Sequence, residues 1–416
     1  MADAGRPLVS ESLTRIALRK LRRHSLALVG GGLLVLLYGL MLGAGFVAPY
    51  NFDTSARLKN FHSPSVIRFV DEDGNLRRPF VYDTVKTRDD VLVLHYPETP
   101  DVPTGALVAY QRDMKAVGDP EEARRIAEED RLRRYPIRLF VQGEDYLVLG
   151  PLLGQLPGCD WTWDVHLFGI ESEDDGPLRP MLYLIGSDDF GRDLFSRILY
   201  GAWVSLTVGL VGISITFTIG MMMGGASGYF GGKTDLAIQR LIEMLLMFPS
   251  FFLLLALAGS LPAEMGSTLR YLMIIMILAL IGWAGLARTI RGLVLSIATM
   301  DYVQAARALG VGHFTIIRKH ILPNTLSYAI VAATLTIPGY MLGESALSFL
   351  ALGVQEPDAS WGNMLRLART ATWLKHYPWI LAPGAFIFLT VLAFNFLGDG
   401  LRDAFDPKSL TVGSED

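Results

Sequence analysis

Side chains able to do covalent or metal chemistry are few and scattered in this chain. In the hydrophilic stretch 49–186, His166 stands near Asp160 and Asp164, while His95 lies far from all three. A zinc hydrolase needs two histidines one helical turn apart with a glutamate between them, and no H-E-x-x-H spacing occurs. Lone histidines among Trp161, Trp163 and Phe168 read as packing or surface residues, so no catalytic residue and no metal ligand is assigned. Ser227-Gly-Tyr-Phe-Gly-Gly-Lys-Thr234 approaches the phosphate cradle G-x-x-x-x-G-K-[ST], but a serine takes the first glycine position. That stretch also leaves an apolar run instead of joining a strand to a helix, so it lacks the converging N–H groups that hold phosphate. One cysteine, Cys159, excludes an internal disulfide framework and a multi-cysteine metal site. Within the apolar runs Glu243 and Glu344 stand alone near the ends. No ladder of Asp, Glu and His runs through them, as a proton-driven carrier would need.

The elements that position these groups are set by hydrophobicity. Of 416 residues 51% are hydrophobic and 19% charged, with a mean hydropathy of +0.35. The charge content lies below that of ordinary soluble chains, which excludes disorder and disfavours a cytosolic enzyme. The net charge of −4 gives no global sign of nucleic-acid binding. A membrane span needs about 20 mostly apolar residues, and six stretches qualify: 26–48, 203–228, 239–261, 270–290, 325–347 and 378–397. The first follows Arg15, Arg19, Lys20, Arg22 and Arg23, is too long for a signal-peptide core and lacks a clear cleavage site, so it is expected to remain as a span.

Orientation follows from basic residues in short loops. The first 25 residues carry six basic and two acidic side chains, which favours the cytoplasm. The 288–320 connection, with Arg288, Arg291, Arg307, Arg318 and Lys319 against Asp301, falls on the same side. The expected architecture is an all-α polytopic membrane protein with six transmembrane helices, both termini inside, and a small α+β extracytoplasmic insert between the first two. The boundaries are 1–25 for the basic N-terminal segment, 26–48 for the first span and 49–186 for the insert. A permease domain of five further spans occupies 187–398, with a cytoplasmic loop at 292–324, and a cytoplasmic tail follows at 399–416.

Small residues and prolines carry a packing message. Gly220, Gly224 and Gly228 recur every four residues and give one smooth helix stripe that another backbone can approach. Pro249, Pro338 and Pro383 each remove a backbone donor within or near a span, and kinks are expected there. In the insert, Ser65–Val70 and Leu76–Tyr82 flank Asp71-Glu-Asp-Gly-Asn75 as a hairpin, and 91–95 is a further strand. Asp119-Pro-Glu-Glu122 reads as a helix start running to about residue 134. Pro136–Val141 and Tyr146–Leu153, separated by Gln-Gly-Glu-Asp, read as a second hairpin.

One connection has the form of a mechanical part. Asp301-Tyr-Val-Gln-Ala-Ala-Arg-Ala-Leu-Gly310 is followed by Val-Gly-His-Phe-Thr-Ile-Ile-Arg-Lys-His-Ile-Leu-Pro323-Asn324. The pattern predicts a short helix over 302–309, ended by a glycine suited to the left-handed position. A second helix is predicted over 313–320, stopping before Pro323. Ala305, Ala306 and Ala308 keep the first helix slim enough to enter a partner's groove, while Gln304 and Arg307 offer polar contacts at its rim. Such an elbow suits transmission of a push from a soluble partner to the spans on either side.

The segment resembles the EAA loop of ATP-binding-cassette importer permeases, whose pattern runs from an Ala-rich helix through glycine to His-x-Leu-Pro. Ala305, Ala306, Gly310, His320, Leu322 and Pro323 match that pattern, and Gln304 stands where the family usually has glutamate. With Tyr302 and Arg307 these residues form the expected ATPase-coupling loop. Gly186-Ser-Asp-Asp-Phe-Gly-Arg-Asp-Leu-Phe-Ser-Arg197, Gly228-Tyr-Phe-Gly-Gly232, Glu344–Gly353, Trp361–Leu365 and Gly398–Pro407 resemble the dipeptide and oligopeptide permeases of the "C" type. The resemblance covers about 26–50 and 186–407, so the enlarged insert is the main departure.

What the resemblance implies is a multi-pass subunit of the bacterial cytoplasmic (inner) membrane, not an enzyme. It would pair with a second homologous permease, two ATP-binding-cassette ATPase subunits and an extracytoplasmic solute-binding protein. This chain would bind no cofactor and no nucleic acid, with ATP and Mg held on the partner ATPase subunits. Two alternatives remain open at this level. One is an importer of nickel or another non-peptide solute, and the other is a membrane-anchored protein whose insert is the enzymatic or sensing domain.

Overall fold

The computed structural model describes residues 19–56, 59–70, 75–82, 87–88, 94–95, 134–148, 150, 161–170, 180–262 and 264–405. Among the described residues five helices are long and apolar enough to cross a membrane, and a bent pair brings the total to as many as six. The first, α1 (Ser25–Leu42), starts where His24 Nδ1 accepts the Ala27 N–H at 3.2 Å, and a short helix α2 (Ala44–Val47) continues it. Then come α3 (Leu194–Phe230), the bent pair α4 (Gly232–Met247) and α5 (Ser250–Gly259), and α6 (Ser267–Ile297). A short helix α7 (Asp301–Ala308) and a short α8 (His313–Ile316) precede α9 (Leu322–Phe349). After α10 (Trp361–Met364) and α11 (Ala371–His376), the last is α12 (Ala382–Phe405).

The structure refines the expected spans. The 239–261 stretch is not one straight helix: α4 and α5 meet at 82°, with Phe248 extended and Pro249 at the helix-start position of α5, and the pair counts as a sixth span when its two halves are taken together. Proline supplies no N–H to bond back across that junction, so the helix restarts in a new direction. The last helix runs to Phe405, beyond the expected boundary at 398, because Arg402 and Asp403 stay exposed while Ala404 stays buried. Hydropathy marks the apolar part of a helix and not its end. Glu344, near the end of its span, is fully buried.

The chain divides into two compact units. One comprises 38–205 and 348–385; the other holds the residues up to 37, then 206–347 and those from 386 onward. In the first unit, strands β1 (Arg68–Val70), β2 (Leu76–Tyr82), β5 (Arg134–Leu147) and β6 (Thr162–Ile170) form an antiparallel sheet in the order β1-β2-β5-β6. Strands β3 (Thr87–Arg88) and β4 (Leu94–His95) make a separate pair. The first predicted hairpin pairs Arg68 with Phe80 and Val70 with Leu76, and its turn, 71–74, lies outside the described residues. The helix expected from 119 also lies outside them, apart from Arg134, which opens β5.

The second hairpin is a correction. Residues 134–147 form one strand that runs straight through Gln-Gly-Glu-Asp and pairs with β6, with an irregular register between Gln142 and Tyr146. Gly143 serves close approach, not a turn: a Cβ there would stand 2.7 Å from the His166 ring. That ring is buried, with Nδ1 2.6 Å from the Ala48 carbonyl oxygen and Nε2 3.0 Å from that of Glu144. His166 thus fastens the sheet to the end of α2.

The Gly186–Arg197 stretch builds the same unit's polar core. Asp188 accepts from the N–H groups of Phe190 (2.9 Å) and Arg192 (3.0 Å) and from Arg192 Nε at 2.7 Å. Glu356 takes Arg192 Nη1 at 2.6 Å and Arg197 Nη2 at 3.2 Å, and Arg197 Nη1 reaches the Phe52 carbonyl at 3.0 Å. Guanidinium groups this deeply buried need carboxylates and carbonyls close by to offset their desolvation. Asp193 caps α3 by accepting from Ser196 N–H (2.8 Å) and Oγ (2.7 Å). Burial nevertheless pushes its carboxyl up to about 7, and burial beside Asp188 pushes Asp189 up to about 6. Gly191 adopts φ +73° beneath the Ala56 carbonyl, where a Cβ would stand 2.1 Å from that oxygen.

Candidate coupling elbow and the helices behind it

The elbow begins with α7, whose Asp301 lies in the first turn and Arg307 in the last, both suited to the helix dipole. Val303 and Ala306, three residues apart, are its buried pair. They join Met221, Tyr229, Ile290, Val294, Ile297, Ile316, Ile321 and Ala329 in one apolar cluster. The helix therefore lies against α3, α6 and the start of α9. Burying such side chains stabilises by about 1.5–3 kcal/mol each for the larger ones, enough to hold a helix of two turns that could not stand alone.

Its end is closed by backbone geometry. Gly310 takes φ +74°, Gly310 N–H donates to the Arg307 carbonyl at 3.0 Å and Val311 N–H to that of Ala306 at 3.1 Å. These are the two bonds of a Schellman turn, which reverses the chain without leaving carbonyls unmet. Leu309 and Phe314, on either side of the turn, are 83% and 72% exposed. Tyr302, Gln304, Ala305 and Arg307 are exposed too, whereas Ala306 faces inward.

Polar contacts brace the exposed residues. Gln304 Nε2 donates to the Ala298 carbonyl at 2.8 Å, a bond an ionised glutamate could not make. Arg307 stacks over the Tyr229 ring at 4.5 Å, and Tyr229 Oη lies 2.9 Å from His313 Nδ1. The His320 carbonyl accepts from Tyr302 Oη at 3.3 Å and from Asn324 Nδ2 at 2.7 Å. These contacts tie Gln304 to the end of α6, Arg307 to α3, and Tyr302 to His320.

The second arm differs from expectation. It does not stop before Pro323: α8 passes through a π-turn, Ile317–Ile321, directly into α9, with Leu322 N–H donating to Ile317 O. The correction has a simple cause. In an unbroken α-helix the Pro323 ring would meet the carbonyl four residues back, and the wider turn carries that carbonyl aside. Leu322 packs partly buried against the elbow's cluster.

Behind the elbow, Gly220, Gly224 and Gly228 of α3 all face α6. A Cβ at Gly224 would stand 2.5 Å from Ala287 O and 2.8 Å from Ile290 Cβ, and one at Gly228 2.8 Å from Val294 Cβ and 2.9 Å from Arg291 O. At Gly220 the nearest atoms belong to the Leu286 side chain, at 2.9–3.0 Å. Pro338 lies inside α9. Pro383 occupies the first turn of α12, where no intrahelical donor is lost.

The sequence reading overlooked an ion pair across the same seam. Arg291 Nε and Nη2 each reach Asp235 at 2.6 Å, a bidentate geometry, and Ser227 Oγ donates to the same carboxylate at 2.5 Å. Arg291 counted only toward orientation there. An acidic residue in the first turn of α4 opposite an arginine at the foot of α6 was the available signal. Tyr229, Leu309 and Phe314 were likewise passed over, being apolar or aromatic residues in a run read for charge.

Residues 216–410 match the family of binding-protein-dependent transport system inner membrane components, and residues 12–64 match the N-terminal TM domain of oligopeptide transport permease C. The dipeptide transport system permease protein DppC of Bacillus subtilis is 44% identical over 223 residues, covering 54% of this chain and 68% of that protein. The oligopeptide transport system permease protein OppC of Haemophilus influenzae is 44% identical over 236 residues, covering 56% and 72%. A solved chain of the MetNI methionine ABC transporter aligns at 20% identity over 50% of this chain and 96% of its own, with a TM-score of 0.40, so the assignment rests on the sequence relatives. With two thirds or more of these relatives spanned, this chain belongs to the binding-protein-dependent inner membrane permeases, in the branch of the peptide permeases of the C type.

Proposed function

We propose that this chain is one of two permeases forming the pathway of a peptide importer, with α7 and the turn at Gly310 as the point where a cytosolic ATPase grips it. The cargo follows the names of its relatives, dipeptide and oligopeptide permeases. The observation that carries the reading is the paired exposure of Leu309 and Phe314 around a turn whose other face is buried. Large apolar side chains held out by a rigid, internally braced support are what a partner's groove requires. The reading takes six spans with both termini inside, which sets this elbow in the cytoplasm, the side that the basic residues of 288–320 favour.

Force on α7 reaches the membrane by two routes. The Val303 and Ala306 contacts lead into α3 and α6, and the Tyr302–His320–Asn324 bonds lead into α9. ATP and Mg stay on the ATPase subunits, and a solute-binding protein delivers cargo from outside. Nucleotide-driven closure then biases the pathway between two access states through contacts that differ between them. Leu309→Asp with Phe314→Asp tests this: the amount of ATPase subunit that co-purifies should fall by about half or more while the chain remains in the membrane. Undiminished co-purification would remove the elbow from the interface.

A further inference from the structure

The sheet of the insert carries a second exposed apolar surface that the transport reading does not use. Trp161 is 70% exposed, and Phe140 and Trp163 are more than half exposed. Phe140 adopts φ +56°, a backbone conformation unfavourable for phenylalanine. Its ring lies 6.3 Å from that of Phe46, and Trp163 stacks on Phe46 at 6.5 Å. Phe46 belongs to α2, directly beyond α1.

Two measures fix the height of this surface. The backbone bonds from Gly43 N–H to Gly39 O and from Val47 N–H to Gly43 O, both 2.9 Å, carry α1 into α2 with little interruption. Phe46 lies in the last turn of the apolar run 26–48, and a run of that length crosses the hydrocarbon core and ends at a headgroup level. The basic residues Arg22 and Arg23 just before the apolar run mark the opposite headgroup level. The sheet is also fastened to that point of the helix. A Cβ on Gly45 would stand 2.1 Å from the Tyr146 ring, His166 holds the Ala48 carbonyl, and Glu144 accepts the Asn51 N–H at 3.2 Å. Nearby Leu42 is itself 55% exposed, so the apolar surface of the span continues toward the aromatic cluster.

We propose that the Phe140, Trp161 and Trp163 surface rests in the headgroup region of the leaflet at the far end of α1, with the lipid surface as its partner. Tryptophan is the residue best suited to that zone, apolar in body with one N–H for the wet side. The exposed left-handed Phe140 has a use in this arrangement, since its ring is held toward lipid beside Phe46. The insert then stands on the membrane next to the first span and not away from it.

The test uses the full chain with Cys159→Ser and a single new cysteine, Trp163→Cys or Trp161→Cys, labelled with a polarity-sensitive fluorophore and reconstituted in phosphatidylcholine vesicles. Lipids carrying a doxyl group near the headgroup should quench about half or more of the emission. Lipids with the group at the chain end should quench less, and aqueous iodide little. Both positions are exposed, so a folding failure at one leaves the other. Strong iodide quenching with no doxyl quenching at both would overturn the proposal. Protection from iodide that appears only when a soluble solute-binding protein is added would overturn it too, in favour of a protein-docking surface.

Discussion

The α3–α6 seam yields a graded prediction. Replacing glycine by alanine inside a helix ordinarily stabilises by about 1 kcal/mol through propensity alone. At Gly292 of α6 nothing lies within 4 Å of a new Cβ, so Gly292→Ala should be neutral or slightly stabilising. At Gly224 the same methyl would stand 2.5 Å from a backbone oxygen, Ala287 O, which cannot swing aside as a side chain can. Overpacking of this kind costs about 1–3 kcal/mol, leaving Gly224→Ala a net loss of about 0–2 kcal/mol after the propensity gain, and about 1–3 kcal/mol below Gly292→Ala. Gly228→Ala, against Arg291 O and Val294 Cβ, should lose a similar amount, and Gly220→Ala, against the movable Leu286 side chain, about 0–1 kcal/mol. Thermal unfolding of the purified chain in detergent, scored against Gly292→Ala, reads this order directly. Equal tolerance at Gly224 and Gly292 would refute the claim that the helix backbones meet at this stripe.

Two further predictions concern charge. Asp235→Asn and Arg291→Gln should each destabilise, and the double variant should lose less than their sum by at least about 1 kcal/mol in a double-mutant cycle, because each single change strands the other partner. The Asp189 carboxyl, raised to about 6 by burial beside Asp188, binds protons more readily in the folded chain than in the unfolded one. Stability must then fall as pH rises from about 4 to about 6, by about 1–2 kcal/mol once partial solvent screening is allowed for. Asp193, raised to about 7, extends the same loss to higher pH. Asp189→Asn should therefore narrow the difference between unfolding at about pH 5 and at about pH 8, with Asp193 supplying what remains.

Much of this architecture was legible in the sequence because apolar runs and glycine spacing are local signals. The run 203–228 lies inside a longer helix, 194–230, and 270–290 inside 267–297. What local signals could not give was the partner of each surface. Gly143 looked like a turn residue because glycine beside Gln, Glu and Asp usually marks one, yet the demand on it comes from His166 more than twenty residues away. Pro323 looked like a helix stop because the widened turn that admits it has no signature of its own. The α4–α5 break was visible as Pro249, but its 82° angle depends on packing. In the elbow, motif spacing marked the helix and its glycine, while the neutral bond from Gln304 to Ala298 and the tie from Tyr302 to His320 exist only once α7 is laid against its neighbours.

The most direct test of the elbow is Gly310→Val beside Gly310→Asn in the assembled transporter in proteoliposomes. Valine at φ +74° strains the turn by about 1–2 kcal/mol, enough to shift a two-state coupling about tenfold, whereas asparagine tolerates the left-handed region. The account predicts that the valine variant hydrolyses ATP while peptide uptake falls about tenfold, and that the asparagine variant transports nearly normally. Undiminished uptake by Gly310→Val at normal membrane abundance would contradict it.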